Sequence, residues 1–512
     1  MIDQHTRIRK AETIMALLVV WCLHVLIAAS TPYGVDDWAW GTPYGIRVTM
    51  HGELDSRYVS NLLEVVITRS RFLKAILLGT IAALLPALSA KLVSELFSEK
   101  TAESKKQQVF LILFVLAEIL FLTIPISVWR ETYGWTCGFT YYGLAALLLI
   151  CWQGLLLLAL QTNKMAGIGE LFLYGLFGFC VQLVLENVTV FVFAVNAMAL
   201  LYDVIKRKKC SSRLLSLMVG CFFGTLLMFS SSIYESLLNT GSAMGGFRAF
   251  SFDRKAGILS ILRQLCQRFI YFYPADIWGN NWVICCTICL LLLITGVRQK
   301  PFVRFFSALF CIGFIIYFLF VRFYGPLENH LPGWNEVRTQ WVNLLFFWGV
   351  LLSVFLFQWN TKKAKRFFVF LWLSVPGVLL PLIAVKVITF RYYFCTNLFL
   401  IEFALALLAS EYSAFDPRLL KVLSILVSIS FIAVLIQRFT IYAQIWEGKK
   451  DRDARIQQAR NGEITRLYFP ELPHSEYLWI VEAPDGSEQV PFFREFYQIP
   501  DEVEMSNLPF ED

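Results

Sequence analysis

Apolar stretches of about 20 residues recur from one end of this chain to the other, separated by short basic segments. No other feature limits the fold as much. In lipid, such a run must satisfy every backbone N–H and C=O internally, and only a helix or a closed barrel does so. Barrel strands would show alternating polarity over roughly ten residues, whereas the runs here are continuous. The chain therefore reads as an all-α polytopic membrane protein. The runs are 13–30, 72–96, 108–128, 138–160, 168–186, 188–205, 214–231, 277–297, 303–322, 340–358, 367–388, 394–410 and 420–437. They predict about 13 transmembrane helices. Composition agrees, since 16% of residues are charged against roughly a quarter in soluble domains.

The net charge of +7 does not point to nucleic acid, because the excess sits in short loops between spans, where topology and anionic lipid account for it. Arg7-x-Arg9-Lys10, Lys100 with Lys105-Lys106, Lys206-Arg207-Lys208-Lys209, Arg298-x-Lys300 and Lys362-Lys363-x-Lys365-Arg366 all fall on one side of the predicted spans. The positive-inside rule makes that side the cytoplasm. The first run then reads as a signal anchor with a cytoplasmic N-terminus. The large loops 31–71, 232–276 and 323–339, and the tail from about 438, lie outside. The working surface is extracytoplasmic on this reading.

Cys285-Cys286-x-x-Cys289 lies in an apolar run with no nearby His, and reads as packing rather than a metal motif. Cys137 and Cys266 fall toward the outer side, which leaves a disulfide open. Residues Leu54, Tyr58, Leu62, Val65 and Val66 share one helical face, as do Ile258, Ile261, Leu262, Leu265 and Phe269. Both stretches predict amphipathic helices of the outer loops, lying at the interface. The tail shows strand-like alternation at Gly462–Phe469 and Glu476–Val481, with Pro484-Asp485-Gly486 as a turn. The predicted organisation is a membrane domain over 1–437 and a small extracytoplasmic α/β segment over 438–512.

Several residues stand out as candidates for chemistry. Asp36-Asp37 follows the first span directly and is flanked by Trp38 and Trp40, a placement suited to a base beside a lipid-borne substrate. The bland alternative is a solvated loop with interfacial tryptophans. Outer arginines Arg57, Arg130, Arg248, Arg254, Arg338 and Arg391 run against the positive-inside rule. A phosphate at the membrane surface matches the guanidinium fork; snorkelling to headgroups is the competing explanation. Among the acids predicted within spans (Glu118, Glu170, Glu186 and Glu402), Glu186-Asn187 reads as a cavity pair at a tight, broken span. Tyr133 and Trp135, with Gly134 and Gly138, offer stacking faces and close backbone approach for a sugar, or else belong to an aromatic belt. His330 is a lone loop histidine, a type that more often has no catalytic or metal role. No Walker loop, dinucleotide fingerprint or His-Glu-x-x-His is present.

With Asp36-Asp37-Trp38, Ser56-Arg57-Tyr58-Val59-Ser60-Asn61, Tyr133-Gly-Trp-Thr-Cys-Gly-Phe-Thr-Tyr-Tyr, Glu186-Asn187-Val-Thr, Met228-Phe-Ser with Arg248, and Phe496-Tyr-Gln-Ile-Pro in order, the chain resembles the GT-C superfamily of membrane glycosyltransferases. More closely, it is similar to a bacterial branch near the Gtr-type O-antigen glucosyltransferases. Thr136-Cys137-Gly138 stands where that branch usually carries a Ser-Gly pair. The resemblance implies a polyprenyl-phosphate sugar donor, a glycan or glycopolymer acceptor, and a bacterial plasma-membrane location. It implies an essential acid at Asp36 or Asp37, and donor-phosphate contacts from Arg57, Arg248 or Arg391. It leaves a divalent metal open and names no ligand for one. The alternatives are a flippase of lipid-linked saccharides, relying on Glu118, Glu186 and Glu402, or a non-catalytic scaffold of envelope assembly.

Overall fold

The computed structural model describes residues 2–53, 55–97, 103–162, 166–243, 248–359, 361–386, 388–412, 417–481 and 488–506. Leu54, Lys100 and the Pro484-Asp485-Gly486 turn lie outside the described residues, as do the side chains of Arg7, Arg9, Lys10 and Arg248.

The chain is helical almost throughout. Its helices are α1 (Ile2–Ser30), α2 (Val35–Gly41), α3 (Pro43–His51), α4 (Tyr58–Thr68), α5 (Arg71–Phe97), α6 (Glu103–Leu122) and α7 (Ile126–Arg130). Next come α8 (Thr136–Gln161), α9 (Ile168–Val181), α10 (Glu186–Arg207), α11 (Ser212–Met228), α12 (Ser232–Thr240) and α13 (Ile258–Pro274). The remainder are α14 (Trp282–Gly296), α15 (Pro301–Tyr324), α16 (Glu336–Leu356), α17 (Lys362–Gly377), α18 (Phe394–Glu411), α19 (Pro417–Arg460) and α20 (Val490–Tyr497).

Among the described residues, nine helices are long and apolar enough to cross a membrane, or up to eleven if two bent pairs each count as one span. The difference from thirteen falls on two runs. The helix at 108–128 is α6, which carries Lys105, Lys106 and Glu118 along its length. The helix at 168–186 is α9, which stops after 14 residues at Val181 and so is shorter than the hydrocarbon core requires. The break expected near Glu186 is present: Leu185 is extended, and α10 starts anew at Glu186.

Two compact units divide the chain. One comprises Met1–Leu17, Pro86–Pro125 and Thr240–Val434; the other comprises Leu18–Leu85, Ile126–Asn239 and Leu435–Asp512. In the first, α18 is the central helix, with 94% of its apolar window buried, and it packs on α6, α14 and α17. Trp372 stacks on Phe347 at 5.7 Å and donates Nε1–H to the Phe347 carbonyl at 3.0 Å. Cys285 and Cys289 are fully buried in α14, as packing residues would be, and all twelve cysteines are free thiols. His330 Nε2 contacts the Tyr324 carbonyl, capping α15.

In the second unit, close helix approach depends on small residues. A Cβ on Gly220 would lie 1.9 Å from the Gly175 carbonyl, and one on Gly178 would lie 2.4 Å from that of Leu217. Gly220-x-x-x-Gly224 therefore seats α11 against α9. The tail belongs to this unit, and α19 runs through the expected 437/438 boundary to Arg460. A short parallel ladder pairs Arg466–Tyr468 with Glu504–Ser506. The second predicted strand, at 476–481, is instead a 3-10 turn over Ser475–Tyr477 followed by irregular chain. Its alternation reflects contacts with neighbouring aromatics rather than a ladder.

Candidate functional site

The site grows from the end of α1. Gly34 is extended and begins α2, and Asp37, three residues on, turns its Oδ2 back to accept the Gly34 N–H at 2.7 Å. Successive helical residues point about 100° apart, so the two aspartates cannot face the same way. Asp37 is fully buried and Asp36 is exposed. The Oδ1 of Asp37 accepts the backbone N–H of Cys137 at 2.9 Å. That N–H lies in the first turn of α8, where the helix leaves its donors unsatisfied. Asp37 thus ties the start of α2 to the start of α8.

α4 supplies the next group. Its apolar side faces outward as the sequence predicts, with Leu62 61% and Val66 38% exposed. Its buried side is mostly polar: Ser60, Asn61, Glu64 and Thr68, with Ile67 among them. Glu64 is fully buried, and its polar neighbours are the Asp37 carboxyl and the Thr140 hydroxyl. Ligand atoms of Asp37, Glu64 and Cys137 all lie within 4.8 Å of one another. Lys74, 1% exposed, donates Nζ–H to the Thr31 carbonyl at 2.6 Å and sits 4.2 Å from the Tyr33 ring centre.

Burial pushes Asp37 up to about 6, against the Gly34 N–H and the Lys74 ammonium, which favour its charge. Burial, followed by repulsion from Asp37, raises Glu64 well above the ordinary carboxyl range. Both carboxyls therefore keep their protons to higher pH than surface carboxylates do. This donor set does not suit a hard divalent ion. Such an ion needs about six oxygens, whereas here a thiol stands beside two carboxylates, Asp37 already accepts two N–H groups, and the Lys74 charge is close by.

The pair sets a direction for pH dependence. Both folded-state proton affinities lie above their unfolded values, so the native state binds more protons. The contribution to stability is greatest below about pH 4, the ordinary carboxyl range. It falls as pH rises through about 6, at a cost of roughly 3 kcal/mol once Asp37 is ionised. Glu64, which keeps its proton in the folded state to higher pH, carries the fall further, until it too ionises. Melting curves of the detergent-purified protein are expected to show this loss, and Glu64→Gln is expected to flatten its alkaline part. Parallel profiles for wild type and Glu64→Gln would contradict the assignment.

Arg57 and Glu186, expected to serve as a phosphate ligand and a cavity residue, meet each other. Arg57 donates Nε–H to Oε2 at 3.0 Å and Nη2–H to Oε1 and Oε2 at 2.9 and 2.7 Å. Tyr234 donates its hydroxyl to the same Oε1. Asp55 accepts from the Arg57 backbone N–H at 3.2 Å and from Asn61 Nδ2 at 3.0 Å. Tyr141 closes the network by donating to Asn61 Oδ1 at 2.7 Å. Asn187 is buried beside Glu186, at 2% exposure.

The aromatic stretch after α7 is also buried. Trp129 stacks on Tyr133 at 4.3 Å, and Trp135 lies 6.2 Å from Trp479. A Cβ on Gly134 would lie 1.9 Å from the Tyr477 carbonyl, and Gly134 accepts the Trp479 N–H at 3.2 Å. The glycine therefore admits the tail backbone. Tyr133 and Trp135 line a small cavity of about 10 Å³ with His24, Thr31 and Thr136. Trp38 packs edge-on against Phe493 at 4.8 Å and borders a second cavity of about 30 Å³ with Tyr33 and Arg71.

Arg248 and Arg391 belong to the other unit. Arg248 begins a two-residue strand paired with Ser242–Ala243. Arg391 lies in a 3-10 turn (Phe390–Tyr393), 6.0 Å from the Tyr392 ring centre. Glu64, Lys74, Asp55 and Tyr234 join the site without having stood out in the sequence. A signal for Glu64 exists in the polar stripe Ser60-Asn61, Glu64 and Thr68, at helical spacing opposite the apolar face. Lys74, within an apolar run, is a costly intramembrane charge by the same rule that singles out the acids. Comparison with family models, curated proteins and solved structures gives no match for this chain.

Proposed function

We propose that the chain is a membrane glycosyltransferase that moves a sugar from a polyprenyl-phosphate donor to a glycan or glycopolymer acceptor at the outer face of a bacterial plasma membrane. The observation that carries this reading is the split of the aspartate pair. Asp37 is locked by two backbone N–H groups and holds α2 in place. Asp36, on the exposed side of that helix, is accessible to a hydroxyl. A short helix fixed at both its own start and the start of α8 positions the exposed carboxylate, as a general base requires.

In the reaction, Asp36 takes the acceptor hydroxyl proton as the oxygen bonds to the anomeric carbon. The bond from that carbon to the carrier phosphate breaks, and its electron pair leaves with the phosphate anion. A single displacement of this kind inverts the anomeric configuration. The leaving group is already a stable anion, so cationic groups need only balance its added charge. Asp37, Glu64 and Lys74 are positioning residues in this scheme. The test uses purified protein and radiolabelled polyprenyl-phosphate hexose, following loss of label from the lipid phase. Release above a protein-free control supports the transferase. Specific lipid binding with no release from any hexose donor would transfer the assignment to a flippase or scaffold.

A further inference from the structure

We infer that the cavity between the start of α5 and the far end of α19 is a binding site for a phosphate-class anion, carried on an amphiphile. The inference goes beyond the transferase reading, because a carrier or scaffold for phosphorylated lipids would use the site equally.

The cavity is about 30 Å³, room for about two water molecules or the exposed oxygens of one headgroup. Its charged lining is Arg71, Lys449, Arg452 and Asp453, which is three cations to one carboxylate. The Lys74 amine lies behind them, close to Arg71 and Lys449 and to the Asp37 carboxyl. Lys449 and Arg452 are 7% and 6% exposed, so water screens little of this excess. An added anion relieves it.

The geometry suits a tetrahedral oxyanion. Arg71 presents its fork to Asp453, with Nη1 to Oδ2 at 2.8 Å and Nη2 to Oδ1 at 3.0 Å. Lys449 Nζ donates to the same Oδ2 at 3.0 Å. A fork plus an ammonium converging on one point matches phosphate oxygens as well as carboxylate oxygens. Asp453 is 27% exposed, so its carboxylate has a route to solvent. Arg452 is fixed as a wall by donating to the Pro470 carbonyl at 3.0 Å and the Val481 carbonyl at 2.9 Å. Asp453 thus acts as an internal stand-in that a phosphate displaces.

The surroundings favour an amphiphile. Arg71 is 53% exposed, and the next residues on α5, Phe72 and Leu73, are 73% and 39% exposed. On α19, Ile436 and Phe439 are exposed at 62% and 56%, about 15–20 Å along the helix from Lys449. An alkyl chain has apolar surface to follow from the headgroup position.

The experiment measures binding by calorimetry, using the full chain in neutral detergent. The probes are decyl phosphate and inorganic phosphate, with decanol as control. Arg71→Gln is expected to weaken decyl phosphate about tenfold or more, the value of one lost charge-assisted contact. Asp453→Asn, which removes the internal competitor, is expected to tighten it. Arg71 is half exposed, so its replacement leaves folding intact, and matching melting curves verify that. Binding of decyl phosphate alone marks a lipid-borne ligand. Binding of both probes with the same response to the variants marks recognition of phosphate itself. Decyl phosphate binding no tighter than decanol, or unchanged by both substitutions, overturns the site.

Discussion

Asp36→Asn is expected to yield a protein that inserts and melts like the wild type but transfers sugar about 10²–10⁴-fold more slowly, the range a positioned base contributes. The stability half of the prediction follows from exposure: Asp36 lies on the open side of α2, where an isosteric amide keeps the side chain's volume and its contact with solvent. The activity half follows from chemistry, since an amide does not accept the hydroxyl proton. The informative comparison is Asp37→Asn. There the amide offers one oxygen to two backbone N–H groups that now share a carboxylate, so its effect includes a structural part. Wild-type transfer rates in Asp36→Asn would remove Asp36 as the base. A lowered melting temperature in that variant would show that the residue supports the fold instead.

Arg57→Ala is expected to cost about 3–5 kcal/mol of stability, the loss that follows removal of one partner from a buried ion pair. Arg57 and Glu186 side chains are only 15% and 21% exposed, and removing the guanidinium strips three hydrogen bonds from Glu186. The Tyr234 hydroxyl still donates to that carboxylate, which softens the loss without replacing the charge. The double variant Arg57→Ala with Glu186→Ala is expected to be less damaged than the sum of the two singles, because the second change removes the stranded charge. Denaturation of all four proteins in one detergent gives the coupling directly. If Arg57 instead served the donor phosphate, its loss would leave the melting temperature unchanged and raise only the donor concentration needed for half-maximal rate.

Part of the candidate site is legible in the amino-acid sequence. Asp37 stands out because two carboxylates directly after an apolar run are unusual, and Glu186-Asn187 because an acid at a span boundary is costly. The pairing of Arg57 with Glu186 is not legible: the residues are 129 positions apart, and no local periodicity links them. Glu64 is masked in the sequence by the apolar face of α4, while the contribution of that helix to the site lies on its buried polar side. The strand predicted at 476–481 fails for a related reason. Alternation marks which side chains face inward, and Trp479 does so against Trp135 without a neighbouring strand.

The sequence by itself determined that this is a helical membrane chain, because runs of apolar residues have no other way to satisfy their backbone in lipid. It also determined where an acid pair, an aromatic segment and a basic excess occur along the chain. Only the tertiary structure decided how these divide their roles. The direction of one helical turn places Asp37 inside and Asp36 outside. The approach of α19 to the start of α5 brings Arg71 to Lys449 and Asp453, hundreds of residues further along the chain. Burial, with repulsion from neighbouring carboxylates, separates the proton affinities of Asp37 and Glu64 from those of ordinary surface carboxylates. Periodicity reports which face of a helix is apolar; the charge of a group depends on what the fold packs around it.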